Sequence, residues 1–440
     1  MILRPAKRIR GRLTLPGDKS ISHRAAIIAA MSDGTALLNN YSTSADCAAT
    51  LSCLLALGVS VERHGNDLII QGAGRDGLRT PRQPLDCANS GTTMRLLAGT
   101  LAGQDFATTL TGDQSLRGRP MQRVVAPLEI MGAQISSNGG RAPLTIAGRQ
   151  PLKAIDYKLL VASAQVKSCV LLAGLNAAGK TTVIENEVTR DHTERMLTLF
   201  GAPIETGSAE REPGGARFAS VTGPAQLRAR DVSIPGDISS AAFFVAAASM
   251  LPGSVLEVAE VGINPTRVLF LEQLRAMGFN VQVRDAREQS NEPVGSIDVR
   301  GAANRNGAAA QAPFMITGSL IPQLIDELPL LAVVGSQVEG GIEIRGAKEL
   351  RVKESDRIAT TVRNLRAMGA AVEEFPDGLR VAGRVKLHGA SVEPDGDHRI
   401  AMAFTVAALL ADGETEIKDA GCVAVSFPEF FELLDSIVER

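Results

Sequence analysis

Six short polar segments interrupt an otherwise Ala- and Gly-rich chain of 440 residues. In order they are Pro16-Gly-Asp-Lys19-Ser20-Ile-Ser-His23-Arg24, Asn89-Ser-Gly91-Thr92, Ser163-Ala164-Gln165-Val-Lys167, Pro235-Gly-Asp237-Ile-Ser-Ser240, Leu324-Ile-Asp326-Glu327 and Asp395-Gly-Asp397-His398-Arg399. Several run straight into a helix-like stretch, where free N–H groups and the helix dipole favour anions. Lys19, Arg24, Arg95, Lys167 and Arg399 sit in or just beyond these segments. Further cations punctuate the stretches expected to form a second set of helices: Arg117 and Arg119 in SLRGRPM, Arg190 and Arg195 in TRDHTERM, Lys353 and Arg357 in RVKESDRI. One such cation alone reads as a solvated surface charge. A series at matched positions reads as a site for ligands carrying several negative charges, each charge-assisted bond contributing roughly 1.5–3 kcal/mol.

Two carboxylates stand apart from the acidic background. Asp326 precedes the apolar run LPLLAVV, at the mouth of a buried helix, where a carboxyl group can serve as an N-cap, a base, or both. Glu354 lies between Lys353 and Arg357, with Arg357 at i+3, which suits either an ion pair or an acid. Gly174-Leu-Asn-Ala-Ala-Gly179-Lys180-Thr181 spells a phosphate-loop motif, but the order is helix before and strand after, the reverse of what that loop requires. His23, His64, His192, His388 and His398 show no metal-ligand spacing, so hydrogen bonding is their expected use and no metal is expected. Gly-x-Ser-x-Gly is absent, and nothing suggests a nucleophilic triad.

The elements that carry these residues repeat. An Ala-rich helix, a Gly turn and a short strand recur around Gly34, Gly103, Gly179, Gly253, Gly340 and Gly413, at intervals of 69 to 87 residues. A second block, helix–Gly–strand–strand, follows at Gly58, Gly132, Gly201, Gly278 and Gly369, where a helix C-terminus needs a left-handed residue. The fold class is therefore α/β (α+β), with two similar domains of three βαβαββ units. The first helices are apolar on nearly all sides, so they form the interior with sheets outside. The long fourth-to-fifth interval predicts a surface loop over Asp285–Gln311. The sixth unit ends at a helix over Phe430–Val438, and the orphan strands Ile2–Arg4 and Arg8–Leu15 are expected to complete it. One domain is then discontinuous, 1–14 plus 231–440, with 15–230 inserted and the site in the cleft between them.

Composition narrows the class. The chain has 46 Lys+Arg against 48 Asp+Glu, no Trp and two Tyr, which argues against nucleic acid or an anionic membrane as partner. The N-terminal cations Arg4, Lys7, Arg8, Arg10 and Arg12 lack the apolar core of a signal peptide. Apolar runs are shorter than the roughly 18 residues of a membrane span. Cys47, Cys53, Cys87, Cys169 and Cys422 fit reduced thiols in a cytoplasm. The expectation is a soluble cytoplasmic enzyme.

LPGDKSISHRA, NSGTTMRLL, the RPM of Arg119, SAQVKS, TRDHTERM, Asp326 in IDELP, RVKESDR and DHRIAMAF, in that order, resemble the 5-enolpyruvylshikimate-3-phosphate synthases over almost the full chain. The resemblance implies transfer of enolpyruvyl from phosphoenolpyruvate to the 5-hydroxyl of shikimate 3-phosphate, with no cofactor and no metal. It implies Lys19, Ser20, Arg24, Ser163, Ala164, Gln165, Arg195, Asp326 and Lys353 as contacts to shikimate 3-phosphate. Lys19, Asn89, Gly91, Arg119, Gln165, Arg357 and Arg399 would surround phosphoenolpyruvate. Asp326 would be the base, with Glu354 or Lys19 as the acid. The related transferases acting on UDP-N-acetylglucosamine usually carry a Cys before the Arg-Pro pair, which GDQSLRGRP lacks. Val425 stands where many members have Lys, and SAQ replaces SSQ, as in often glyphosate-tolerant members. Gly91 is instead a feature of sensitive ones, while Leu96 departs from their usual Pro. Glyphosate is thus a candidate inhibitor of undecided potency. A self-contained cleft makes a monomer the expectation.

Overall fold

The computed structural model describes residues 1–209, 215–301 and 312–440. The chain forms two compact units: a split unit of Met1–Leu15, Gly236–Arg287 and Pro293–Arg440, and an inserted unit of Pro16–Pro235 joined by Glu288–Glu292. Among the described residues, no helix is long and apolar enough to cross a membrane.

In the inserted unit the helices Lys19–Ala30, Gly91–Ala102 and Ala164–Gly174 are buried over most of their length. Each starts at a residue whose side chain accepts from a first-turn N–H: Asp18 from Ile21, Ser90 from Thr93, Ser163 from Val166. Small side chains let the Gly91–Ala102 and Ala164–Gly174 helices approach closely. A Cβ built on Gly99 would lie 2.2 Å from the carbonyl oxygen of Cys169, so only glycine fits there. Around these helices sit sheets of one pattern. Leu85–Asp86 runs parallel to Ala107–Thr111, which pairs antiparallel with Leu144–Ala147, and that strand with Gln134–Ser137. Ala177–Glu185, Arg217–Gly223 and Ile204–Ser208 repeat it, with Leu152–Lys153 and Asp156–Lys158 as the parallel edge. The helix–strand order at Gly174–Glu185 is the one that rules out a phosphate loop.

The split unit is built alike, with buried helices Ile238–Met250, Leu328–Gly335 and His398–Leu410 packed on one another. Two expectations need correction here. The region over Asp285–Gln311 is not one loop: Asn280–Gln289 and Glu292–Arg300 are neighbouring strands, and residues 302–311 lie outside the described residues. The N-terminal strands do not both complete the sixth unit. Ile2–Leu3 pairs with Thr415 and Glu416, as expected, but Arg8–Thr14 lies parallel to Val255–Gly262 in the fourth unit's sheet. Correspondingly, Val232–Ser233 pairs with Leu38 and Asn39 in the first unit's sheet. The strands preceding the Lys19–Ala30 and Ile238–Met250 helices have thus been exchanged for one another, which no local pattern reveals. The chain also does not end on its last helix, because Val438–Glu439 pairs with Arg8 and Ile9.

Adding one methyl group at Gly99 should lower unfolding free energy by about 1–3 kcal/mol, since the obstructing atoms are backbone. Urea denaturation of Gly99→Ala checks this, and a loss below about 0.5 kcal/mol would contradict the close helix contact.

Candidate active site

In the inserted unit, the polar residues at the helix starts are joined by hydrogen bonds. Lys19 is the first residue of its helix and its ammonium is 2.8 Å from Asp46. Arg24, one turn on, is buried and spends its guanidinium on Thr193 Oγ1 (2.7 Å), Ser168 Oγ (2.8 Å) and the carbonyl of Ser20 (2.8 Å). Ser168 in turn gives its one hydroxyl proton to the Ala164 carbonyl at 2.6 Å and accepts from Thr193 at 2.6 Å, tying the Ser163–Gln165 helix start to Arg24. Arg190 donates to Ser20 Oγ at 3.3 Å. Burial lowers the pKa of Arg24 to about 10, with Arg190 adding to the shift and Glu194 opposing it. Two cations converging on Ser20 repel each other, and an anion placed there would relieve both.

A second cluster continues from Gln165. Its side-chain amide donates to Thr92 Oγ1 at 2.8 Å, and its oxygen accepts from Arg95 at 2.6 Å. Arg119, nearly buried, donates to Asn89 Oδ1 at 2.6 Å and to Ser115 Oγ at 3.2 Å. A Cβ on Gly91 would lie 2.7 Å from Arg95 Nη1 and 3.5 Å from Arg119 Nη1, so glycine keeps the approach to these cations open. Arg195 donates to Asp191 at 2.9 Å and to the carbonyl of Asn291 at 3.1 Å, while Asn291 donates to the carbonyl of Arg195 at 2.8 Å. Beside it, His192 and Glu292 share a hydrogen bond of 2.7 Å, so the strand-turn tip Glu288–Glu292 fixes this stretch of helix.

The split unit gathers the other expected residues. Arg357 is buried at the start of the Arg357–Ala367 helix. It donates to Asp397 through Nε (2.7 Å) and Nη2 (3.2 Å) and to Glu354 through Nη2 (2.7 Å), and its Nη1 is 3.5 Å from Asp326. Burial alone would lower the pKa of Arg357, but Asp397, Glu354 and Asp326 reverse that and raise it. Asp397, fully buried, also accepts from the backbone N–H of Arg399 at 2.9 Å, capping the His398–Leu410 helix. Arg399 places Nη2 3.9 Å from Asp326 and Nη1 3.5 Å from Glu327. Lys353 is half-buried; burial lowers its pKa, with Arg357 adding to the effect and Asp326 and Glu354 opposing it.

These positions refine the sequence reading. Asp326 does not occupy the N-cap of the Leu328–Gly335 helix, which falls on Glu327; it sits instead between the guanidiniums of Arg357 and Arg399. Arg119, Arg190 and Lys353 are not on the second helices but in the segments leading into them. Lys167 is no anion ligand: it is buried against Glu185 (3.1 Å) and Glu194 (2.7 Å). Asp46 and Glu327 were missed as partners of Lys19 and Arg399. Asp46 lies in no recurrent motif, whereas Glu327 stood next to Asp326 in a segment already marked as polar. Among the described residues, no group of three or more His, Cys, Asp or Glu side chains could hold a metal ion.

The architecture is that of the enolpyruvyl transferases. The solved structure of NikO from Streptomyces tendae matches with a TM-score of 0.76 at 18% identity, covering 100% of this chain and 97% of that one, a likeness of fold alone. In sequence, residues 3–434 match the family described as EPSP synthase (3-phosphoshikimate 1-carboxyvinyltransferase), and the chain belongs to that family. A 3-phosphoshikimate 1-carboxyvinyltransferase of Koribacter versatilis is 51% identical over 439 residues, covering 100% of this chain and 99% of the relative. One of Solibacter usitatus is 48% identical over 436 residues, covering 99% of each. A solved EPSP synthase from Acinetobacter baumannii matches with a TM-score of 0.85 at 40% identity, covering 99% of this chain and 97% of that one.

The Lys167 cluster makes a pH-dependent prediction. Burial alone would depress the Lys167 pKa, but Glu194 and Glu185 raise it, so its stabilisation is complete below the unfolded-lysine value and fades as pH climbs through the folded one. Lys167→Met at pH 7 leaves two buried carboxylates without their cation and should cost about 3–5 kcal/mol. Denaturant titrations of parent and variant at pH 7 and well above the ordinary lysine value should show the deficit shrinking at the higher pH, as Lys167 of the parent loses its proton. An equal deficit at both would refute the assignment.

Proposed function

We propose that this transferase moves the carboxyvinyl group of phosphoenolpyruvate to the 5-hydroxyl of shikimate 3-phosphate and releases phosphate. The observation that carries this reading is the family match over residues 3–434, together with both acid–base carboxylates, Asp326 and Glu354, each within ion-pair range of Arg357. The family match also favours shikimate 3-phosphate over UDP-N-acetylglucosamine as acceptor. The expected contact residues are shared between the two units.

In this reading, Lys19, Ser20, Arg24, Ser163, Ala164, Gln165, Arg195 and Lys353 hold shikimate 3-phosphate. Lys19, Asn89, Gly91, Arg119, Gln165, Arg357 and Arg399 surround phosphoenolpyruvate. Asp326 takes the proton of the 5-hydroxyl as its oxygen bonds to C2 of phosphoenolpyruvate, while Glu354 or Lys19 delivers a proton to the C3 methylene. The resulting tetrahedral adduct collapses in the opposite sense. C3 returns a proton, the double bond re-forms, and the C2–O bond to phosphate breaks, the departing phosphate taking up the proton that Asp326 received. Holding two anions together among fixed cations supplies orientation worth several kcal/mol and offsets the charge of both substrates. Glyphosate is proposed to compete with phosphoenolpyruvate near Gly91, and the enzyme to act as a cytoplasmic monomer.

Phosphate release should require both substrates and vanish when UDP-N-acetylglucosamine replaces shikimate 3-phosphate. Asp326→Asn and Glu354→Gln should each lower kcat by about 100-fold or more while changing KM values little. Near wild-type turnover in either would end that residue's assignment.

A further inference from the structure

Glu327 is a buried carboxylate for which the proposed chemistry has no use. Only 4% exposed, it lies at the N-cap position of the Leu328–Gly335 helix, yet its side chain makes no capping bond. Burying a carboxylate is costly unless it is paired, so its partners indicate its purpose. Glu327 Oε1 accepts a short hydrogen bond from Ser239 Oγ and lies 3.5 Å from Arg399 Nη1. Behind it, the buried Arg267 donates from Nη2 to Ser239 Oγ at 2.5 Å. Ser239 is fixed in turn, because its backbone N–H donates to Asp237 at the start of the Ile238–Met250 helix. The order Arg267, Ser239, Glu327, Arg399, Asp326 therefore alternates charge through a hydroxyl relay, all within one unit.

We infer that Glu327, braced by Ser239 and Arg267, is a positioning residue that holds Arg399 open for phosphoenolpyruvate and keeps it from closing onto Asp326. The competition is close, since Arg399 Nη2 is 3.9 Å from Asp326 and Nη1 is 3.5 Å from Glu327. Without the Glu327 charge, the stronger remaining attraction for the guanidinium on this side is Asp326. Pairing there removes a phosphoenolpyruvate contact and occupies the base at the same time. The inference rests on the proposed role of Arg399, and the test separates the two.

Steady-state kinetics of Glu327→Gln should show KM for phosphoenolpyruvate raised about tenfold and kcat lowered, with KM for shikimate 3-phosphate within about twofold of the parent. Ser239→Ala should give the same split in weaker form, about threefold, and Ser239→Thr, which restores the hydroxyl, should recover it. Glu327→Gln with a lower KM for phosphoenolpyruvate would overturn the inference, because the carboxylate would then only subtract positive charge. A loss of thermal stability without a change in either KM would overturn it as well. Should Glu327→Gln fail to fold, an unchanged phosphoenolpyruvate KM in Ser239→Ala decides against it. Arg399→Lys with an unchanged phosphoenolpyruvate KM would instead overturn the role proposed for Arg399.

Discussion

A guanidinium that must meet an anion has to be buried, ionised and aimed before the anion arrives, and that requirement organises the split unit. Taking a cation out of water costs several kcal/mol unless carboxylates sit beside it. Arg357 is 2% exposed and meets Asp397, Glu354 and Asp326, which together outweigh its burial. Asp397 does two jobs with one carboxylate: it fixes Arg357 and caps the helix that presents Arg399. The proposed base and the proposed acid are thus the same groups that make the buried arginine affordable. Charge balance and acid–base chemistry share one set of atoms.

The inserted unit meets the requirement differently. The bonds that hold Arg24 end on two hydroxyls and a carbonyl, and those from Arg119 to Asn89 and Ser115 also end on neutral oxygens. Neutral acceptors fix direction without themselves cancelling charge; on Arg24 the opposing charge comes at longer range from Glu194, Asp18 and Glu292. Arg24 bears the strain of this, with its pKa lowered to about 10 by burial and by Arg190. Lys19 and Arg195 in the same unit are held instead by the carboxylates of Asp46 and Asp191, so the inserted unit combines neutral and charged anchors for its cations.

Much of this was legible in the chain. All-round apolar helices, glycine stops and alternating strands repeat often enough to give the units and the polar segments that open their helices. What the sequence concealed follows from interactions that leave no local trace. Arg8–Thr14 reads as a strand from its own residues, but its partner is Val255–Gly262, hundreds of residues away. Lys167 occupies the same kind of slot as Arg24, and only the presence of Glu185 and Glu194 turns it into a structural cation. The role of Asp46 is likewise visible only once its helix is packed against the Lys19–Ala30 helix.

The strand exchange bears on the site itself. Arg8–Thr14 and Val232–Ser233 each lead, within a few residues, into the caps Asp18 and Asp237 that open buried helices. Because each strand is anchored in a sheet other than that of the helix it precedes, the position of each cap is set by two registers rather than one. The N–H of Asp18 donates to the carbonyl of Pro235 at 2.8 Å, binding the two connections to each other inside the inserted unit. A one-residue slip in either short strand would invert its buried face and shift a cap, and with it Lys19 on one side or Ser239 on the other. The exchange therefore makes the placement of site residues depend on the tertiary fold being complete, which a local strand–helix unit would not do.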